Sequence, residues 1–121
     1  MIKLTDFILT VLTTFLLVVT QVLLKIWLGK YTIQVLPLKD LNVNNIFRLE
    51  FICAGLSFLI GGILWMGLLK RVEFSVLYPL ISISYIFGLL AAKFIFHESI
   101  PGVRWFGVLI IIFGVYLISR N

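Results

Sequence analysis

The sequence predicts an all-α integral membrane protein of four transmembrane helices with almost no water-soluble domain, and two observations predict it. Of 121 residues, 62% are hydrophobic and 12% charged, against about half and a quarter in an ordinary soluble domain. The charges fall in short clusters between long uncharged runs. A water-soluble fold of this length cannot hide so much apolar surface, and a mean hydropathy of +1.19 belongs in a bilayer.

Three runs, Phe7 to Leu24, Phe51 to Leu69 and Phe74 to Ala92, hold no charged residue. Each approaches the roughly 20 residues a helix needs to cross about 30 Å of hydrocarbon. A fourth run, Trp105 to Ser119, is shorter but lies between Arg104 and Arg120, whose long side chains reach the headgroups from slightly inside the membrane. The expected spans are about 4–26, 48–69, 74–96 and 102–119, in a single domain. The first is longer than a signal-peptide core, has no small-residue cleavage pattern and leads into further spans, so it reads as retained.

The connections follow. From Lys30 to Asn45 the chain carries Ile33, Val35, Leu36, Leu38 and Leu41 around Pro37, an apolar stretch expected to lie along the membrane interface. Lys70-Arg71-Val72-Glu73 is a tight turn joining spans two and three as an antiparallel hairpin. Ser99 and Pro101 read as the N-cap and an early residue of the fourth helix.

Composition also excludes chemistry. A single Cys53 rules out an internal disulfide, and a single His97 with no neighbouring thiol or imidazole leaves no metal site and no expected cofactor. The net charge of +5 faces anionic lipid headgroups, the ordinary counter-charge of basic loops in a membrane protein, and not nucleic acid.

Two polar stripes interrupt the apolar spans. With residues set about 100° apart on a helix, Thr10, Thr14, Leu17, Gln21 and Lys25 share one face of the first span. Threonines in membrane helices commonly bond their own backbone, so the weight falls on Gln21 and Lys25. A lysine at mid-helix costs about 3 kcal/mol on insertion scales, although near a helix end it also snorkels to the interface. The third span carries Ser75, Tyr78, Ser82, Tyr85 and Lys93 on a matching stripe, with Pro79 expected to kink the helix beside Tyr78. Tyr78 also suits an aromatic belt, and Tyr85 a hydrogen bond within the bundle.

Spans one and three cross in the same direction, so Lys25, Lys93 and Arg104 meet on one side of the membrane. Cations at the mouth of a polar groove suit an anionic headgroup, whose phosphate oxygens accept charge-assisted hydrogen bonds. In the fourth span Gly107 and Gly114 stand seven residues apart on one face. Small residues let helices approach closely, within the monomer or across a dimer.

Leu64 to Arg120 resembles the four-helix members of the drug/metabolite transporter superfamily. The likeness rests on Trp65 before the basic turn, Tyr78-Pro79, the His97-Glu98 junction, Trp105 and the Gly107/Gly114 pair, and Gln21-Val22-Leu23-Leu24-Lys25 is similar to the family's helix-one signature. The nearest likeness is to the small subunits of the 4-amino-4-deoxy-L-arabinose-phosphoundecaprenol flippase. More distant are the small multidrug resistance transporters, whose helix-one glutamate, on alignment of Lys25, falls on Leu17, and whose glycine pair falls on Ile83 and Tyr85. No acidic residue is expected inside any span, so proton-coupled exchange of cations has no carrier.

The resemblance implies a bacterial inner-membrane protein, not an enzyme, that moves an undecaprenyl-phosphate-linked monosaccharide or similar anionic glycolipid for cell-envelope modification, lipopolysaccharide included. It implies a homodimer, or a heterodimer with a related four-helix subunit, joined through Gly107 and Gly114. Lys25, Lys93 and Arg104 would hold the phosphate, and Gln21, Tyr78, Ser82 and Tyr85 the sugar. A small multidrug-type exporter and a non-transporting accessory subunit of a membrane glycosyltransferase are the alternatives.

Overall fold

The computed structural model describes residues 3–31 and 48–120. The expected interfacial course of the first connection falls outside these residues. Helix α1 spans Leu4–Tyr31, α2 Leu49–Arg71, α3 Phe74–Leu80, α4 Ser84–Phe94 and α5 Gly102–Ser119, with a 3₁₀ turn at Ile81–Ile83 between α3 and α4. In the bilayer every backbone N–H and C=O needs an internal partner, and helices supply one within the segment itself. Four segments are long and apolar enough to cross a membrane, α3, the 3₁₀ turn and α4 forming the third together.

Most large apolar side chains face outward. Leu12, Phe58, Leu59, Ile63, Met66, Leu109 and Phe113 are all exposed, a surface that lipid can cover and water cannot. The interior is correspondingly small. Leu80, Ile83 and Val115 form its centre, with Phe7, Val11, Ile86, Phe87 and Ile111 packed around them.

Helix α1 is the hub. It runs antiparallel to α2, and three contacts mark the register from one end to the other. Arg71 Nη1 lies 3.5 Å from Asp6 Oδ1, Gly61 lets Leu16 and Leu17 approach, and the Trp27 and Phe51 rings lie 5.0 Å apart. Thr10, Thr13 and Thr14 are fully buried, and their hydroxyls donate to the carbonyls of Asp6, Leu9 and Val11 at 2.7, 2.7 and 2.8 Å. Those threonines are satisfied by their own helix and offer no donor to a ligand.

Against the third span α1 runs parallel, as expected. Phe7 and Val11 pack near Leu80 and Ile83, Phe15 meets Phe87 edge to face at 5.4 Å, and Lys25 reaches Glu98. The turn after α2 is as short as expected, Glu73 carbonyl accepting the Val76 and Leu77 N–H groups at 3.0 and 2.9 Å. Helix α5 rests on α3 and the 3₁₀ turn.

Two expectations are corrected. Pro101, not Ser99, occupies the N-cap of α5, with φ −66° and ψ 151° and no side-chain cap bond; its carbonyl accepts the Arg104 N–H at 3.0 Å. Proline's fixed φ serves an extended cap residue as well as a first helical one. Acidic residues are also not absent from the spans. Asp6 stands in the first turn of α1 and is buried, its Oδ1 3.5 Å from Arg71 Nη1, and Glu50 stands in the first turn of α2.

The α1–α2 contact gives a test. A methyl on Gly61 would meet Leu16 Cβ at 3.6 Å and Leu17 Cδ2 at 3.7 Å, whereas Gly62 has nothing within 4 Å. Gly61→Leu is expected to lower stability in detergent by about 1–3 kcal/mol and Gly62→Leu to leave it nearly unchanged, measured by unfolding in a denaturing-detergent titration. Equal effects would place the close helix contact elsewhere.

Candidate functional site

A cleft of about 610 Å³ lies over the third span, between the C-terminal half of α1 and the N-terminal half of α5. Its polar wall is Gln21, Lys25, Ser84, Tyr85, Glu98 and Arg104, and its apolar wall includes Leu17, Val18, Leu89, Val108 and Ile111. Gly88 and Gly107 line it from facing helices. Glycine there leaves open space where a side chain would stand.

Each polar group is placed by local structure. Gln21 and Lys25 are one turn apart, so α1 stacks them on one face. The chain leaves α4 at His97, whose φ of 54° is left-handed, a conformation in which histidine is several-fold enriched among non-glycine residues. The Glu98 N–H then reaches back to the Ala92 carbonyl at 2.9 Å. That turn aims the Glu98 carboxylate at α1, where Oε1 accepts from Lys25 Nζ at 2.9 Å. The Lys25 ammonium also lies 4.5 Å from the centre of the Phe96 ring, a cation–π distance. Lys25 is thus held by an anion and a ring together. With both charged side chains well exposed, at 60% and 42%, the ion pair is worth at most about 1 kcal/mol, a weak tie that a ligand can exchange.

The cleft brings together Lys25, Gln21, Tyr85 and Arg104 and leaves out three other residues of the expected site. Lys93 lies on the same side, outside the lining, 5.4 Å from the Phe94 ring and 5.6 Å from the Trp105 ring. Tyr78 is exposed, its ring 5.2 Å from that of Phe74, and Ser82 lines a separate apolar cavity of about 300 Å³ with Ile83, Ile86 and Val115. For Tyr78 and Ser82 the physical reason is the 3₁₀ turn beyond Pro79; Lys93 follows the turn with Tyr85 but, eight residues on, stands about 80° round the helix from it. A 3₁₀ helix turns about 120° per residue and an α-helix about 100°. Three residues therefore rotate the following helix by roughly 60° more. The turn presents Ser84 and Tyr85 to the cleft and breaks the stripe drawn through Tyr78 and Ser82.

Among the charged, polar and aromatic residues of the cleft, Glu98, Phe96 and Ser84 are the ones outside the expected site. A signal for Glu98 was present, since it is an acid placed just past the third span on the same membrane side as Lys25. Among the described residues, no group of His, Cys, Asp and Glu is arranged to hold a metal.

Four crossing helices around a cleft with a charged mouth and an apolar body define a membrane protein of the transporter class. The EamA-like transporter family matches residues 1–120, and the chain belongs to that family. It is a multi-pass protein of the bacterial inner membrane.

The chain is similar to three proteins named "Probable 4-amino-4-deoxy-L-arabinose-phosphoundecaprenol flippase subunit ArnE". One, from Pseudomonas fluorescens Pf-5, is 42% identical over 62 residues, 51% of this chain and 54% of the relative. Another, from P. fluorescens Pf0-1, is 35% identical over 83 residues, 68% of this chain and 73% of the relative. The third, from Enterobacter sp. 638, is 46% identical over 57 residues, 47% and 53% of the two chains. The chain thus spans about half the length of the first and third of these relatives. No solved structure matches it.

The cleft can be probed directly. In a Cys53→Ser background, Gln21→Cys and Gly107→Cys are expected to react with a water-soluble maleimide, and Thr13→Cys, at a fully buried position, to react at least tenfold more slowly, a ratio of the order set by burial free energies of a few kcal/mol. Equal labelling of all three would remove the cleft.

Proposed function

We propose that this protein is a flippase, or a flippase subunit, for an undecaprenyl-phosphate-linked monosaccharide such as aminoarabinose, or a similar anionic glycolipid. One observation carries the reading. The cleft places the cations Lys25 and Arg104 at one end of an apolar-walled groove between helices, which matches a lipid with a phosphate head and a hydrocarbon tail. The relatives' names point to the same class of substrate.

In this reading the phosphate binds Lys25 and Arg104 through charge-assisted hydrogen bonds. Gln21, Ser84 and Tyr85 bond the sugar, and the tail stays in lipid through the side of the cleft. No covalent bond is made or broken. Lys93, expected on the phosphate beside Lys25 and Arg104, lies outside the cleft lining and is left out of this reading. Leu17 lines the cleft where the resemblance to multidrug transporters would require a carboxylate, and the carboxylate the cleft does hold, Glu98, is paired with Lys25, so the reading includes no proton-coupled efflux of cationic drugs. The 3₁₀ turn after Pro79 gives the third span a hinge for alternating access.

Binding to the purified chain in nanodiscs tests the assignment, with a polyprenyl-phosphate sugar compared against a neutral polyprenol. Lys25→Met and Arg104→Met are each expected to weaken binding of the charged lipid by tenfold or more, because a hydrogen bond to a charged group contributes about 1.5–3 kcal/mol. Lys93→Met should stay within about twofold, as a surface charge outside the cleft. Wild-type protein that binds the charged and neutral lipids equally would overturn the reading.

A partner chain is part of the same proposal, since the relatives are named as subunits. Helix α5 leaves much of its surface uncovered, with Leu109, Phe113, Tyr116 and Leu117 exposed. Gly107 and Gly114 offer it a small-residue face, and Gly107 also lines the cleft. Gly114→Leu, where a Cβ meets nothing within the chain, therefore separates assembly from binding. It is expected to shift the protein from dimer to monomer in lipid bilayers by single-molecule photobleaching, and an unchanged dimer fraction would move the interface off Gly114.

A further inference from the structure

Glu98 is an unexpected residue in a site for an anionic lipid. Its carboxylate lines the same cleft as Lys25 and Arg104, and it is bonded to the cation that a phosphate would approach, at 2.9 Å. A phosphate that takes the Lys25 ammonium takes it from Glu98. The carboxylate would then stand unpaired a few ångströms from a second anion, beside walls that are mostly apolar, an arrangement that like-charge repulsion opposes. A purely anionic lipid leaves that problem unsolved. A lipid that brings its own cation solves it.

We infer that Glu98 selects for a positively charged group, an amine on the sugar, so that the cleft recognises a zwitterionic head: phosphate on Lys25 and Arg104, ammonium on Glu98. The inference rests on the phosphate-lipid reading above and adds to it a specificity-determining residue. Three features of the structure serve the exchange. The Lys25–Glu98 pair is exposed enough to open at small cost, with 60% and 42% of the two side chains accessible. Phe96 lies 4.5 Å from the Lys25 ammonium, keeping a favourable surface under the cation while its anionic partner changes. Glu98 is also fixed at its backbone by the bond from its N–H to the Ala92 carbonyl, so the carboxylate remains at the cleft after it releases Lys25.

Within the Lys25–Glu98 pair the exchange conserves charge: the two neutralise one another beforehand, and a phosphodiester with an ammonium group then brings its anion to Lys25, beside Arg104, and its cation to Glu98. An N-acylated sugar brings only the negative one. Discrimination between the two lipids is therefore expected to come from Glu98, and affinity for the phosphate from Lys25 and Arg104.

The test compares a polyprenyl phosphodiester of an aminopentose with its N-acetylated counterpart, both binding to the full-length chain in nanodiscs. Wild type is expected to prefer the free amine by about tenfold or more, the size of one charge-assisted hydrogen bond. Glu98→Gln should lose that preference to within about twofold while still binding the acetylated lipid at least as well as wild type, because the repelling carboxylate has gone. Glu98→Asp, which keeps the charge on a shorter arm, should retain part of the preference, and it stands in if the glutamine variant fails to fold. A wild type that prefers phosphorylated over neutral lipid but shows no preference for the amine would overturn this inference alone. Glu98→Gln that keeps the full amine preference would do the same. Equal binding of a neutral polyprenol would remove the phosphate reading and this inference with it.

Discussion

The direction of each crossing governs the site. In hydrocarbon the backbone must satisfy itself, so each span is a helix, and successive spans cross in opposite directions. The first and third spans therefore run parallel, and the fourth begins where the third ends. Three chain ends meet on one face as a result: the last turns of α1 with Gln21 and Lys25, the exit of α4 with Phe96 and Glu98, and the first turn of α5 with Arg104. Polar side chains far apart in sequence become neighbours without any long-range folding signal beyond four apolar runs. Lys25 and Glu98, 73 residues apart, are the clearest case.

Packing then divides labour between the two sides of α1. Toward α2 it is closed by buried threonines that bond their own carbonyls, by Gly61 against Leu16 and Leu17, and by the Trp27–Phe51 contact. Toward α5 it is open, because α5 leans on α3 and the 3₁₀ turn and the cleft is lined by glycines of α4 and α5, Gly88 and Gly107. A tight α1–α2 pair beside a loosely covered third span leaves the cleft where it is. The small core around Leu80, Ile83 and Val115 lies toward the other membrane face, so it fixes the helices at one end and leaves the polar end free to rearrange.

Much of this was legible in the sequence, because charge-free runs report the bilayer directly. The four spans, the parallel course of spans one and three, the tight Val72-Glu73 turn and the gathering of Lys25 and Arg104 all follow from hydropathy and parity. What escaped depended on rotation and on pairing. A stripe drawn at a constant angle put Tyr78, Ser82 and Tyr85 together, but the 3₁₀ turn rotated Tyr85 into the cleft and left Ser82 in another cavity. Asp6 escaped because the absence of acids is a property of the charge-free run from Phe7, whereas the expected span and the helix both begin at residue 4. Glu98 stood at a junction noted only for its likeness to other proteins, and periodicity carries no information about a loop residue's partner. The left-handed His97 that aims it is a single-residue feature with no repeat to reveal it.

The central claim is that the cleft is built for a lipid carrying a phosphate head, and the most direct measurement is to identify the lipid the protein retains. Wild-type chain extracted in a mild detergent and examined by native mass spectrometry is expected to carry a polyprenyl-phosphate-linked sugar, one per cleft, and to lose it when Lys25 and Arg104 are both replaced by methionine. Retention of bulk phospholipid alone, in equal amounts by wild type and the double variant, would contradict the account.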